Sequence, residues 1–165
     1  MTSTSRRREI PQPDADAVYA VIKRYKRDEP EVAEQLEQFF DLFRGMGVPM
    51  TFSPVSLAAM DESFPALMEQ IDQEAENSEA EGEDLMIFIQ LCGFWLGTLI
   101  IEELGGKWQH DPDEGSLVSG AKGAKGDIDP FDPFIRKAQN PAFSLLREFE
   151  RLTGMSVAAV GEEEL

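Results

Sequence analysis

The sequence predicts an α+β fold that is mainly α, with about five helices around a central buried helix (85–104) and a small antiparallel β-hairpin. Three observations predict it: apolar residues recur at helical spacing, one segment is apolar on nearly every side, and two short β-like runs flank a turn. A chain of 165 residues is most simply one domain. We expect a disordered tail at 1–10, a single globular domain at 11–155 and a flexible tail at 156–165.

The first half of the chain shows several helical stripes. Asp14 is a candidate N-cap for the first helix, and Pro30 suits the first turn of the second, which Gly45 and Gly47 end. Residues 55–62 and 65–76 are predicted as two further helices. The acidic stretch 77–84 is too polar to pack and indicates a mobile linker.

The segment 85–101 is the most apolar part of the chain, since only Gln90 and Thr98 are polar among its 17 positions. Such a helix either spans a bilayer or is buried on nearly all sides by protein. Spanning takes about 20 apolar residues. The flanks here are acidic and carry no cluster of Lys or Arg. We therefore expect burial by protein and no membrane.

One narrow face of this helix lacks bulk. At about 100° per residue, one arc of the helix contains Gln90, Gly93, Gly97 and Thr98. Cys92 lies almost opposite, in the apolar face, where burial should raise the pKa of its thiol. Each glycine costs about 1 kcal/mol relative to Ala in a helix. Close packing against another backbone offsets that cost in one interpretation, and a ligand resting on the glycines does so in the other.

The C-terminal third combines strands, turns and short helices. Residues 107–110 and 116–119 are predicted strands around an Asp-Pro-Asp-Glu-Gly turn. Residues 120–126 form a Gly/Lys loop that does not match the phosphate-binding G-x-x-x-x-G-K-[ST] pattern. Residues 127–133 are a turn region, and 134–138 are one helical turn. Asn140 and Pro141 predict the start of the last helix, which Gly154 ends.

Part of the chain resembles a family of uncharacterised small bacterial proteins. The segment from Gly93 to Trp108 is similar to a pattern in which a glycine-bearing helix ends in Leu-Gly-Gly-x-Trp and runs into a strand. A Pro-Phe segment beginning at Asp129, followed by a C-terminal helix, is also similar. Those relatives often carry Glu after the second glycine, where this chain has Thr98. The resemblance implies an α+β architecture and supplies no function.

The candidate site residues divide into two groups, and none is a candidate catalytic residue. The ligand-facing candidates are Gln90, Gly93, Gly97, Thr98, Trp108 and His110. The candidate metal ligands are Asp127, Asp129 and Asp132, whose carboxylates suit Mg²⁺ or Ca²⁺. The alternatives are a solvated histidine and aspartates that serve turns next to prolines. We expect no cofactor.

The composition of the chain disfavours several classes of binding partner. The net charge is −17, with 15 basic against 32 acidic residues, and this charge repels nucleic acid and anionic membrane surfaces. The single cysteine excludes an intramolecular disulfide and suits the cytoplasm. We expect a non-enzymatic protein-interaction module, inhibitor-like or immunity-like, that binds a basic partner. The alternative is a small-ligand or divalent-metal-dependent enzyme using the acidic hairpin region and His110. The oligomeric state is open, and a homodimer is allowed.

Overall fold

The computed structural model describes residues 11–76, 83–113 and 115–156, and these residues form six helices and one two-stranded antiparallel sheet. In chain order the elements are α1 (Pro11–Asp28), α2 (Pro30–Gly45), α3 (Val55–Glu76), α4 (Glu83–Leu104), β1 (Lys107–Asp111), β2 (Gly115–Ser119), α5 (Asp132–Gln139) and α6 (Leu145–Thr153). The α+β, mainly helical class is confirmed. The predicted N-terminal tail, residues 77–82 of the predicted linker and nearly all of the predicted C-terminal tail lie outside the described residues.

Helix α4 is the centre of the molecule, as predicted. It packs against α2, α3, α5 and β2. Trp95, Leu99 and Ile100 are fully buried within it. By length and composition alone, residues 84–104 are also apolar enough to cross a membrane. However, 61% of the most apolar 18-residue stretch of this helix is buried inside the protein. A core helix enclosed by its neighbours shows this burial.

The α1–α2 pair covers one side of α4. The predicted apolar stripe of α2 is confirmed, because all of its members are buried: Val32, Leu36, Phe39, Phe40 and Phe43. The Phe39 ring stacks on the Trp95 indole of α4, with ring centroids 5.2 Å apart and ring planes 8° from parallel. Aromatic pairs of this kind stabilise the packing of two helices beyond what the burial of their surface contributes.

Helix α3 corrects the prediction of two helices at 55–62 and 65–76, because one helix runs from Val55 to Glu76 with Pro65 inside it. Proline removes one backbone hydrogen bond and costs about 3 kcal/mol in a helix interior. A continuous buried stripe offsets this cost, since Leu57, Met60, Phe64 and Leu67 follow helical spacing across the proline.

Three helix boundaries also differ from the prediction. Asp14 lies within α1 rather than at its N-cap, and α5 has eight residues rather than one turn. The last helix begins at Leu145, not at Asn140. Asn140 instead follows the end of α5, and its side-chain oxygen accepts a hydrogen bond from the Ala142 N–H at 3.2 Å. Such a local turn competes with helix initiation, and Ser144 serves as the N-cap.

The β-hairpin is confirmed, with Trp108 opposite Val118 and Asp111 opposite Gly115. Ile128 adds a bridge to Val118 through two backbone hydrogen bonds of 2.8 Å. The exit from α4 requires glycine at 106, where φ is +100° and a Cβ atom would lie 2.6 Å from the Ser119 carbonyl oxygen. This close approach sets the hairpin against the end of α4.

Candidate functional site

The glycine face of α4 is covered by two aromatic rings of the same chain. A Cβ atom on Gly93 would lie 2.0 Å from the Phe131 ring, and one on Gly97 would lie 2.2 Å from the Trp108 ring. The half-buried Phe94 ring contacts both, with centroid distances of 5.2 Å to Phe131 and 5.3 Å to Trp108. Close packing therefore accounts for both glycines, and in this structure no open face is left above them for a ligand.

Gly97→Leu is expected to lower the free energy of unfolding by about 1–3 kcal/mol, because the added side chain collides with the buried Trp108 indole. Urea denaturation measures the change. Gly126→Leu is the matched control, since a Cβ atom at Gly126 meets nothing within 4 Å and its φ is not positive. An unchanged midpoint for Gly97→Leu would show that this face is open to solvent.

The remaining two residues of the predicted arc, Gln90 and Thr98, lie in different environments. Thr98 is fully buried and its hydroxyl donates a hydrogen bond of 2.8 Å to the Phe94 carbonyl oxygen. Gln90 is exposed and donates to the Gln35 side chain of α2 at 3.2 Å. Of the four residues on the predicted arc, Gly93, Gly97 and Thr98 are buried, whereas Gln90 lies at the protein surface.

Trp108 lines a groove of about 450 Å³ between α1, the end of α4 and β1. We call it the tryptophan groove, and it is lined by Arg24, Tyr25, Glu29, Glu102, Lys107 and Trp108, among others. The indole N–H of Trp108 is buried and has no hydrogen-bond partner among the residues that the structure describes. An unpaired buried donor costs about 1–3 kcal/mol, so this indole N–H is a destabilising feature of the described core.

Tyr25 forms the base of the tryptophan groove. Burial, supported by the nearby Glu102 carboxylate, raises the pKa of the Tyr25 phenol to about 12. Arg24 forms an ion pair with Glu102 across the groove. Thr98, predicted as ligand-facing, is fully buried and is not among the residues that line the groove.

His110 contacts side chains from three parts of the chain. Its Nε2 lies 2.9 Å from the Glu29 carboxylate, its Nδ1 lies 2.7 Å from the Ser116 hydroxyl, and its ring stacks on Trp108 at 6.1 Å. Glu29 is 81 residues away along the chain, so sequence reasoning missed it. The imidazole links the hairpin to the connection between α1 and α2.

Two of the three aspartates predicted as metal ligands, Asp129 and Asp132, have local partners. Asp129 accepts hydrogen bonds from the backbone N–H groups of Phe131 and Asp132 at 2.9 and 3.4 Å. Asp132 pairs with Arg136 at 2.8 Å, and Asp127 is exposed. Within the described parts of the chain, no three His, Cys, Asp or Glu side chains are grouped so that they could hold a metal ion. The D-x-D-x-x-D spacing therefore does not produce a three-carboxylate cluster.

Cys92 is fully buried in α4, and burial raises the pKa of its thiol well above the usual range. The predicted direction of this shift is confirmed. A protonated thiol is a weak nucleophile and a weak metal ligand, so the side chain acts as a small apolar group of the core.

The excess negative charge is concentrated in one part of the chain. Residues 30–104, which include α2, α3 and α4, contain 16 Asp and Glu residues and one basic residue, Arg44. The rest of the chain is nearly balanced, with 16 acidic against 14 basic residues. Arg44 and Lys107 enclose a stretch that contains no Lys, Arg or His. This signal was available in the sequence, although the total charge alone does not reveal it.

The same three helices enclose an apolar groove of about 300 Å³. We call it the acidic groove, and it is lined by Leu42, Leu67, Ile71, Asp84, Ile87 and Phe88, among others. Leu42 is 38% exposed and Ile87 is 50% exposed. Apolar surface surrounded by polar residues marks interaction sites more often than isolated exposed side chains do.

No family model matches this chain, and neither the curated proteins nor the solved structures include one that is significantly similar.

Proposed function

We propose that this chain is a soluble, cytoplasmic, non-enzymatic protein-interaction module of bacterial type that binds a basic partner protein through the surface of α2, α3 and α4. The observation that carries the proposal is the segregation of charge, because residues 30–104 hold nearly the whole excess of acidic over basic residues. An inhibitor-like or immunity-like role towards a basic protein is one form of this function.

Electrostatic attraction explains why such segregation favours a partner. A surface of one sign raises the rate of encounter with a surface of the opposite sign, and it disfavours partners of like sign. Screening limits this attraction, since the Debye length falls from about 10 Å at about 0.1 M salt to about 3 Å at about 1 M. Binding that depends on the acidic helices should therefore weaken steeply with salt.

The experiment compares two triple variants with the same change in net charge. Glu69→Gln, Asp72→Asn and Asp84→Asn neutralise exposed or half-buried acids of α3 and α4, whereas the control neutralises acids elsewhere, namely Asp16→Asn, Asp113→Asn and Asp127→Asn. Proteins captured from a bacterial lysate at about 0.1 M and about 1 M salt are then identified by mass spectrometry.

We expect the wild-type chain and the control to retain the same basic protein at low salt, and we expect the α3–α4 variant to lose it. Equal capture by all three proteins would contradict binding through the acidic helices. The absence of any salt-sensitive basic protein among those retained by the wild-type chain would contradict the proposed function itself.

A small-ligand function at the tryptophan groove is the second candidate. The observation that favours it is the buried, unpartnered indole N–H of Trp108, a residue that lines the groove and whose ring stacks on His110. A ligand that binds only the folded state raises the melting temperature by mass action. Thermal unfolding with Mg²⁺, Ca²⁺ and a panel of metabolites tests this candidate, and a shift that Trp108→Phe abolishes would support it over the first.

A further inference from the structure

We propose that the acidic groove receives an amphipathic α-helix of the basic partner, with the apolar side of that helix on the groove floor and its Lys and Arg residues against the acidic walls. This inference rests on the proposed function and adds to it the place and the secondary structure of the bound segment.

The floor and rim of the groove provide the apolar contacts. Leu67 and Phe88 are buried at the floor, while Ile71 is half-buried and Leu42 and Ile87 are exposed at the rim. The neighbouring Met86 is 60% exposed. Six large apolar side chains are exposed among the described residues, and three of them, Leu42, Met86 and Ile87, lie at or beside this groove. Exposed apolar side chains are therefore concentrated here.

The charge around the groove is negative. Asp84 is the one charged residue in its lining, and the exposed residues Glu69 and Asp72 flank the lining pair Gln70 and Ile71 in the α3 sequence. Neither α3 nor α4 contains a Lys, an Arg or a His that would neutralise them. An occupant must therefore combine an apolar stripe with flanking positive charges.

A helix meets both requirements. A groove between packed helices accepts an amphipathic helix through anchors at positions i, i+3, i+4 and i+7, and the flanking positions of that helix point towards the walls. A second copy of this chain does not meet them, because it would bring a protein of net charge −17 against acidic walls, and like charges across an interface are costly.

The test uses two fluorescein-labelled peptides of about five helical turns, made of the same numbers of Leu and Lys. In one peptide the leucines follow i, i+3, i+4 and i+7, and in the other they are scattered around the helix. Fluorescence anisotropy measures the affinity of each peptide for the full chain, for Leu42→Ser and for Ile87→Ser. Val55→Ser is the matched control, since Val55 is 47% exposed and does not line the groove.

We expect the amphipathic peptide to bind the wild-type chain and Val55→Ser at least about tenfold more tightly than the scattered peptide, and we expect Leu42→Ser and Ile87→Ser each to remove most of that difference. Circular dichroism shows that each variant is folded.

Equal affinity for the two peptides, unchanged by Leu42→Ser and Ile87→Ser, would overturn the helix inference and leave the proposed binding of a basic partner standing. If neither peptide binds more tightly than an acidic peptide of the same length, the proposed function fails as well. Self-association of the free chain that Ile87→Ser abolishes would identify a second copy as the occupant and overturn the inference.

Discussion

Asp61→Ala is expected to lower the free energy of unfolding by about 3 kcal/mol, because the Asp61 carboxylate connects α3, α5 and α6. It accepts hydrogen bonds from the backbone N–H groups of Leu145 and Leu146 at 2.7 and 3.1 Å. It also lies 3.3 Å from the ammonium group of Lys137, whose side chain is only 4% exposed. Removing the carboxylate leaves a buried positive charge without its counter-ion and the Leu145 and Leu146 N–H groups without their acceptor.

Urea denaturation followed by far-UV circular dichroism measures this loss. Glu62→Ala is the matched control, because Glu62 is the exposed neighbour of Asp61 in the same helix and its removal should change stability by less than about 0.5 kcal/mol. Asp61→Asn should cost less than Asp61→Ala, since the amide retains one acceptor oxygen. Similar midpoints for Asp61→Ala and Glu62→Ala would show that the carboxylate does not hold the three helices together.

A double-mutant cycle separates the two roles of Asp61. The Lys137 ammonium group also donates to the carbonyl oxygens of Pro141 and Phe143 at 2.8 and 2.6 Å. In a Lys137→Met background the cost of Asp61→Ala should fall, because no buried charge is left uncompensated. The cost that remains measures the capping of α6. An unchanged cost would assign the whole effect to the cap.

The elements predicted well from sequence are those determined by local pattern. The stripe of α2 and the apolar run of α4 depend on residues within a few turns of one another, so periodicity locates α2 and the length of the apolar run locates α4. Pro65 and Asn140 misled the prediction for the opposite reason. The burial of Phe64 and Leu67 keeps α3 continuous across the proline, and the local turn at Asn140 satisfies the Ala142 N–H before α6 begins.

The candidate sites were less predictable, because their contacts join distant parts of the chain. Helical spacing correctly placed Gly93 and Gly97 on one face, but it could not show that Phe131 and Trp108 cover them. The sequence associates His110 only with the acidic hairpin region, whereas its carboxylate partner, Glu29, comes from the α1–α2 connection. The distribution of charge along the chain, in contrast, is evident from the sequence, whereas the groove between α2, α3 and α4 is not.

Trp95→Ala is expected to be the most destabilising single substitution considered for this chain, lowering the free energy of unfolding by about 3–5 kcal/mol. The Trp95 side chain is fully buried, stacks on Phe39 of α2, and donates its indole N–H to the Thr51 carbonyl oxygen at 3.0 Å. Truncation opens a cavity between α2 and α4 and leaves the Thr51 oxygen without this donor. A loss of this size is a large part of the total stability of an ordinary domain.

Trp95→Phe and Ile87→Ala locate the origin of that loss. Phenylalanine keeps the stack on Phe39 but cannot donate to Thr51, so its cost should lie between those of wild type and alanine. Ile87→Ala shortens an apolar side chain of the same helix that is 50% exposed, and it should cost much less. Urea denaturation followed by circular dichroism compares all three, since fluorescence would lose one of the two tryptophans. Equal costs for Trp95→Ala and Ile87→Ala would mean that α4 is not enclosed by its neighbours, and the acidic groove, which depends on α2 and α4 packing together, would lose its structural basis.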